Sequence, residues 1–283
     1  MGKTAPPTKN DPRRARRWIA HTLGILGEVL VTLGVLLALF VVWEVWWTDV
    51  VGTRQQQEAI DDLTWRFPPI PEGGFPVVLP TEGPDDLGIP IVAEEDKHRT
   101  DSPPYEPTPE AEETFATMYV PRWGADYVKP ISEGVGRRDV LDKLGIGHYP
   151  GTALPGGWGN FAVAGHRTTY GKPFDRIEEL VEGDAIVVRT ESIWYVYRVT
   201  ETAIVYPGYS AAIAPVPGHK GAAADGRYIT LTTCHPKFSA SKRYIVYGVL
   251  EYWAEASAGY PEEIVLGAEE SIPEVEAGVG EGP

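Results

Sequence analysis

Two kinds of hydrophobic pattern divide this chain. Residues 29–43 are fifteen consecutive positions without a charge, mostly Val and Leu, and 23–27 and 45–47 extend the apolar run. About 20 such residues span the ~30 Å hydrocarbon layer as a helix, so 23–47 is predicted to be a single transmembrane helix. Trp43, Trp46 and Trp47 cluster at its far end, where amphipathic rings favour the headgroup layer. Lys3, Lys9, Arg13, Arg14, Arg16 and Arg17 precede it. By the positive-inside rule they hold 1–22 in the cytoplasm and send everything after the span outside. A cleaved signal peptide would show a shorter apolar region and a small-residue cleavage site; this run ends in tryptophans and acidic residues. Glu28 and Glu44 lie toward its two ends, where snorkelling places a charge in water.

The second pattern is short and β-like. Runs at 116–121, 161–164, 185–189, 194–199, 203–206, 228–233 and 243–252 are rich in Val, Ile, Thr, Tyr and Phe. Gly and Pro punctuate them at 156–157, 183, 207–208 and 215–218. Helical signals are few: 139–144, ended by Gly145, and 175–181, ended near Gly183. Seven or eight strands in this length predict an all-β domain over 115–253, a closed barrel or sandwich with one or two short helices.

Composition sharpens those boundaries. Of 26 prolines, 11 lie in 51–114, with 15 Asp/Glu against 4 Lys/Arg. Residues 48–114 therefore read as an extended, self-repelling extracellular linker. Within it, 51–65 is able to prolong the membrane helix or form a stalk, with Arg54, the glutamines at 55–57 and Glu58 as a polar face. Residues 254–283, with 8 Glu and no Lys or Arg, read as an acidic disordered tail. The formal charge of −15 belongs to these flanks, for 115–253 holds 15 basic and 13 acidic residues. With no dense basic run in that body, nucleic acid is excluded as a partner.

The chemistry concentrates around Cys234, the one cysteine in the sequence. The run 228–233 leads into it, and Pro236 cannot donate to a ladder, so the strand ends there. A further strand begins at Arg243. Antiparallel pairing across the short intervening loop places Cys234 and Arg243 on one rim, and 161–164 stops just before His166. A thiol near pKa ~8.5 needs activation to serve as a nucleophile. Histidine titrates near ~6.5 and transfers protons, while arginine stays charged and presents a planar fork of donors to a developing oxyanion. Cys, His and Arg together imply acyl transfer through a thioester. No metal site is expected, because His148, His166, His219 and His235 do not fall at ligand spacings beside carboxylates, and no cofactor is implied.

The segment Thr230-Leu231-Thr232-Thr233-Cys234, with Arg243 nine residues on and Ala164-Gly165-His166 upstream, resembles the sortases, cell-wall transpeptidases of Gram-positive bacteria. The resemblance covers 115–253. It implies an eight-stranded sortase-like β-barrel and a catalytic trio of Cys234, His166 and Arg243. The expected reaction cleaves a sorting signal between Thr and Gly, then joins the acyl group to an amine of a lipid-linked peptidoglycan precursor. Gly147-His148-Tyr149-Pro150-Gly151-Thr152, the span ending Trp46-Trp47-Thr48-Asp49-Val50 and Cys234-His235-Pro236 look most like class E sortases of high-GC Gram-positive bacteria. That class is associated with Leu-Ala-x-Thr-Gly rather than Leu-Pro-x-Thr-Gly signals. Asp101-Ser102-Pro103-Pro104-Tyr105 does not match the Asp-Pro-aromatic lid of pilus-polymerising members, and no second span follows the barrel. General anchoring of surface proteins at the cell membrane is thus expected over pilus assembly.

Thr232 and Thr233 are ordinary strand residues or support the oxyanion and substrate. His148, in a Gly-rich turn, and Tyr119 are candidates to line the site. Tyr119 and Tyr127 also read as packing residues, His219 and His235 as loop residues, with His235 pointing away from the site if alternation persists. Two other functions stay open: a surface cysteine protease, in which water takes the thioester, and a tethered module that binds wall polypeptides without turnover.

Overall fold

The computed structural model describes residues 12–65 and 90–266. The expected cytoplasmic segment before Pro12, the linker over 66–89 and the tail from 267 lie outside them. The described residues form two units, divided between Trp47 and Thr48. Helix α1 (Pro12–Asp61) carries the apolar run and is long and apolar enough to cross a bilayer.

From Thr48 onward the architecture is a closed barrel of eight strands. These are β1 (Thr114–Tyr119), β2 (Val128–Glu133), β3 (Ile146–His148), β4 (Gly159–Gly165), β5 (Ala185–Arg189), β6 (Ile193–Val205), β7 (Arg227–His235) and β8 (Lys242–Glu255). Around the barrel the order is β1-β2-β3-β4-β7-β8-β6-β5, with β5 closing on β1. The β2–β3 and β4–β7 pairs are parallel and the rest antiparallel. Only single turns interrupt it, at Arg137–Leu141 and Ile177–Glu179 among others.

Strand alternation sorts the side chains. Phe161 and Val163 of β4, Ile229 and Leu231 of β7, and Val246 of β8 fill the interior with Met118, Ile131, Ile186, Val188, Tyr195 and Tyr197. Six strands coincide with the apolar runs. The runs at 194–199 and 203–206 join into the one long β6, which pairs with β8 through two register shifts. Strands β2 and β3 escaped the pattern. Pro130 stands in β2 opposite Thr117, outside the three residues that pair with β3, so it has a ladder neighbour on one side only. The β3 sequence is Ile-Gly-His, too short to show a period.

Packing continues past both composition-drawn boundaries. The outer faces of β5, β6 and β8 present Val187, Trp194, Val196 and Tyr252, which no strand covers. Val92 from one side and Ala256 and Ile264 from the other bury them in a second apolar cluster. The backbones of His98 and Trp253 exchange hydrogen bonds of 2.9 and 3.0 Å, their rings stack 4.1 Å apart, and Trp253 Nε1 donates to Asp101 O. Part of the predicted linker and the start of the predicted tail, including α2 (Glu262–Leu266), thus belong to the packed body. Tyr119 joins this cluster, with its ring 5.6 Å from Trp194, and burial raises its phenol pKa.

Removing residues before Thr114 strips Val92 from that cluster and the His98 ring from Trp253. Apolar burial contributes about 2 kcal/mol and the ring stack about 1 kcal/mol. A chain beginning at Thr114 is expected to melt roughly 5–10 °C below one beginning at Pro90, as read by calorimetry of the two.

Candidate active site

The strand order places β7 between β4 and β8, and the two registers converge on its C-terminal end. In the parallel β4–β7 pair Ala164 stands opposite Thr232; two residues further along each strand come His166 and Cys234. In the antiparallel β7–β8 pair Cys234 stands opposite Arg243. Directly opposed residues share a face and alternate residues return to it. His166, Cys234 and Arg243 therefore form one row across three neighbouring strand ends. All three line a groove of about 540 Å³ on the barrel exterior, with Tyr149, Arg137 and Phe238 among the other walls.

Each end of the row is tied down. Thr233, whose neighbours Leu231 and Ile229 face the core, spends its hydroxyl on Gly165 O at 2.7 Å, fixing β7 to β4 immediately before His166. The Thr232 hydroxyl bonds Val163 O and lies 3.0 Å from Tyr149 Oη. Both threonines border the groove, but their hydroxyls are engaged within the protein. Arg243 Nη1 donates to Ala240 O and Lys242 O at 2.9 Å each, in and beside the β7–β8 turn.

His166 is oriented by a residue that sequence patterning did not single out. Its Nε2 lies 2.6 Å from Asp142 Oδ1, on the turn that follows Arg137–Leu141. A carboxylate accepts, so Nε2 carries the proton and Nδ1 is left for exchange. The His166 ring also packs 5.2 Å from that of Tyr170. Asp142 lay within the predicted helical turn 139–144, and no linear spacing links it to His166. Arg167 was likewise missed. Its side chain is buried, pairs with Glu178, and reaches His235 Nδ1 at 2.8 Å and Cys234 O at 3.4 Å. His235 Nδ1 is also 3.0 Å from Glu178 Oε1, so His235 turns away from the groove as alternation implies.

Two candidates do not reach the groove. His148 is 2% exposed, with Nδ1 2.5 Å from Glu133 Oε2, Nε2 near Thr152 Oγ1 and Ala153 O, and its ring stacked on Phe161. It belongs to β3 rather than a turn, and its polar atoms are satisfied internally. Tyr119 is held in the second apolar cluster. Tyr127 donates to Pro173 O at 2.7 Å, and burial carries its pKa well above the usual phenol value. Neither tyrosine borders the groove, and no residue of 90–113 does.

Comparison with known proteins places the barrel in a family. The family profile described as the sortase domain matches residues 118–251. Sortase SrtE1 of Streptomyces coelicolor is 34% identical over 248 residues, 85% of this chain and 60% of that protein, so the match leaves two-fifths of that relative uncovered. Sortase SrtE2 of the same organism is 31% identical over 250 residues, covering 84% of this chain and 85% of that one. Among solved structures, the SrtA sortase from Actinomyces oris superposes with a TM-score of 0.55 at 43% identity, over 62% of this chain and 96% of that chain. With matching sequence along nearly the whole of a relative, and the same barrel, the chain belongs to the sortase family of cysteine transpeptidases.

Proposed function

We propose that this chain is a membrane-anchored sortase that cleaves a C-terminal sorting signal and transfers the released acyl group to a cell-wall amine. The observation that carries the proposal is the single row of His166, Cys234 and Arg243 in one exterior groove. The apolar part of α1 is the anchor, oriented with its basic flank in the cytoplasm and the barrel outside.

Chemistry follows from the row. The Cys234 thiolate, beside a groove that also holds Arg137, Arg167 and Arg243, attacks the carbonyl carbon of the signal's threonine. Negative charge moves to the carbonyl oxygen, where the Arg243 fork donates. The C–N bond to glycine breaks, the amine leaves with a proton from His166, and a thioester remains. The acceptor amine attacks that thioester, His166 takes its proton, and the new amide departs as the thiolate returns. Asp142 holds the histidine with Nδ1 free in both half-reactions. A signal of the Leu-Ala-x-Thr-Gly or Leu-Pro-x-Thr-Gly type and a lipid-linked peptidoglycan precursor are the proposed partners, in keeping with the class E likeness. The anchor keeps the enzyme in the layer where secreted clients and lipid-linked acceptors meet, raising their effective concentration.

Variants at three positions test the roles, with peptides of both signal types, an added amine and products identified by mass. Cys234→Ala should remove cleavage and transfer while the barrel melts as before, and turnover in that variant refutes the nucleophile assignment. Arg243→Lys should lose roughly 10²–10³ in kcat, nearly as much as Arg243→Ala, because lysine keeps the charge without the fork. A lysine variant near the parent rate would leave only a charge requirement. Asp142→Asn should lower kcat roughly tenfold or more with little change in KM, since an amide is able to hold the ring in the other tautomer.

A further inference from the structure

We propose that Gln56, with Gly52 and Asp49 on the same helix face, is a positioning residue for His166. The turns of α1 from Thr48 onward thereby form part of the active-site architecture rather than a spacer. The inference rests on the reading of His166 as the proton-transfer group.

Asp49, Gly52 and Gln56 are spaced three and four apart, so they share one face of the helix. Gly52, Gln56 and Ile60 are buried while Arg54 and Gln57 are exposed. That face meets the loop between His166 and Phe174. A methyl group on Gly52 would lie 2.5 Å from the Tyr170 carbonyl carbon and 2.8 Å from Gly171 N, and one on Gly171 would lie 2.5 Å from Gln56 Nε2. Helix and loop thus touch where neither tolerates a side chain.

The loop tip at that contact is in an unfavourable conformation. Tyr170, Gly171 and Lys172 have φ of 56, 69 and 30°, three consecutive left-handed residues of which only one is glycine. Such a tip persists only where its surroundings hold it. Phe174 in the core and its N–H to His166 O at 3.0 Å anchor the loop's ends. The tip is anchored by α1: Gln56 Nε2 donates to Tyr170 O at 2.7 Å, Gly171 N donates to Asp49 Oδ1 at 3.1 Å, and Lys172 Nζ meets Asp49 Oδ2 at 2.8 Å. Gln56 is itself fixed by Lys129 Nζ of β2, 2.9 Å from its Oε1. Both ends of the buried amide are therefore satisfied.

Tyr170 is the link to the site. Its ring packs 5.2 Å from the His166 ring, whose Nε2 is held by Asp142. Releasing the Tyr170 carbonyl lets the tip relax to an ordinary conformation and withdraws that ring from His166. A misplacement of about 1 Å at a proton-transfer group costs up to ~10²-fold in rate.

Gln56→Glu separates positioning from stability. Glutamate still accepts from Lys129, as an ion pair, but has no N–H for the Tyr170 carbonyl. The readouts, on the full-length chain in vesicles, are the melting temperature, kcat and KM for a sorting-signal peptide, and the pH profile of Cys234 alkylation by iodoacetamide. Alkylation reports on one site because Cys234 is the chain's one thiol, and it needs no substrate. The titratable and charged groups that share the groove with His166 in that profile are Cys234, Tyr149, Arg137, Arg167 and Arg243, with Asp142 and Tyr170 on the ring itself. With its melting temperature kept, Gln56→Glu should lower kcat roughly 10–100-fold with KM within about twofold. It should also move the alkylation profile toward that of His166→Ala. Gly52→Ala should do the same, and Arg54→Ala, on the exposed face, should do neither. A folded Gln56→Glu with the parent's kcat and profile, while His166→Ala shifts the profile, overturns the proposal alone. A parent profile in His166→Ala overturns the reading of His166 and the proposal with it. If Gln56→Glu does not fold, Asp49→Ala, which cuts only the tie to Gly171 and Lys172, is read by the same criteria.

Discussion

Everything distinctive about this molecule depends on the position of β7 between one parallel and one antiparallel neighbour. A parallel pair brings residues of like sequence direction level with each other, so His166 follows the end of β4 at the level where Cys234 ends β7. An antiparallel pair brings the start of the next strand to the same level, so Arg243 arrives there as well. One slip of register in either ladder would turn a member of the row to the opposite face. The Thr233–Gly165 hydrogen bond and the Thr232 bond to Val163 O stand at the critical end of the parallel ladder. There each buried hydroxyl, left without an acceptor, would cost about 1–3 kcal/mol. Those bonds specify the register as much as they stabilise it.

Much of this was readable from the sequence, and the limits have physical causes. Cys234, Pro236 and Arg243 lie within ten positions of one another, so local rules about strand ends and hairpin pairing were enough to place two members of the row. His166 needed the additional inference that the run 161–164, which stops just before it, would deliver it to the same rim, a longer-range step than a hairpin. Asp142 and Arg167 left no linear trace, because each acts on a partner at least 24 positions away, Asp142 on His166 and Arg167 on Cys234 and His235. Strands β2 and β3 were hidden by Pro130 and by brevity. The domain edges were hidden by composition: acidic, Pro-bearing segments looked unable to pack, yet Val92, Ala256, Ile264 and Tyr260 join Tyr119 in covering four apolar outer-face residues.

A candidate site on the outside of a barrel gains access at the expense of dryness. The interior is filled by Phe161, Tyr195, Tyr197 and their neighbours, so no cavity there can take a peptide. The groove has to be built up from loops, and Arg137, Leu141, Thr168, Thr169, Phe238 and Ala240 stand around the row. Loops are mobile by default, since their backbones lack ladder partners. Precise chemistry at such a place requires ties from outside the sheet. Arg167 is one, buried and shared among Glu178, His235 and the Cys234 carbonyl.

The contact of α1 with the 166–174 loop fits the same requirement. A hydrogen bond from a buried side chain contributes only about 1 kcal/mol net, comparable to holding one non-glycine residue in the left-handed region. Gln56 alone is therefore evenly matched against the strain at Tyr170, and the further ties through Asp49 to Gly171 and Lys172 stand against the second strained residue, Lys172. A balance that close would be responsive: on the proposed coupling, a small displacement of the helix from Thr48 onward would change the population of the loop conformation that presents Tyr170 to His166. The approach is close on one side, because Gly52 leaves room for a hydrogen but not for a methyl, whose carbon would lie 2.5 Å from the Tyr170 carbonyl carbon, so the helix could advance on the loop very little without displacing it.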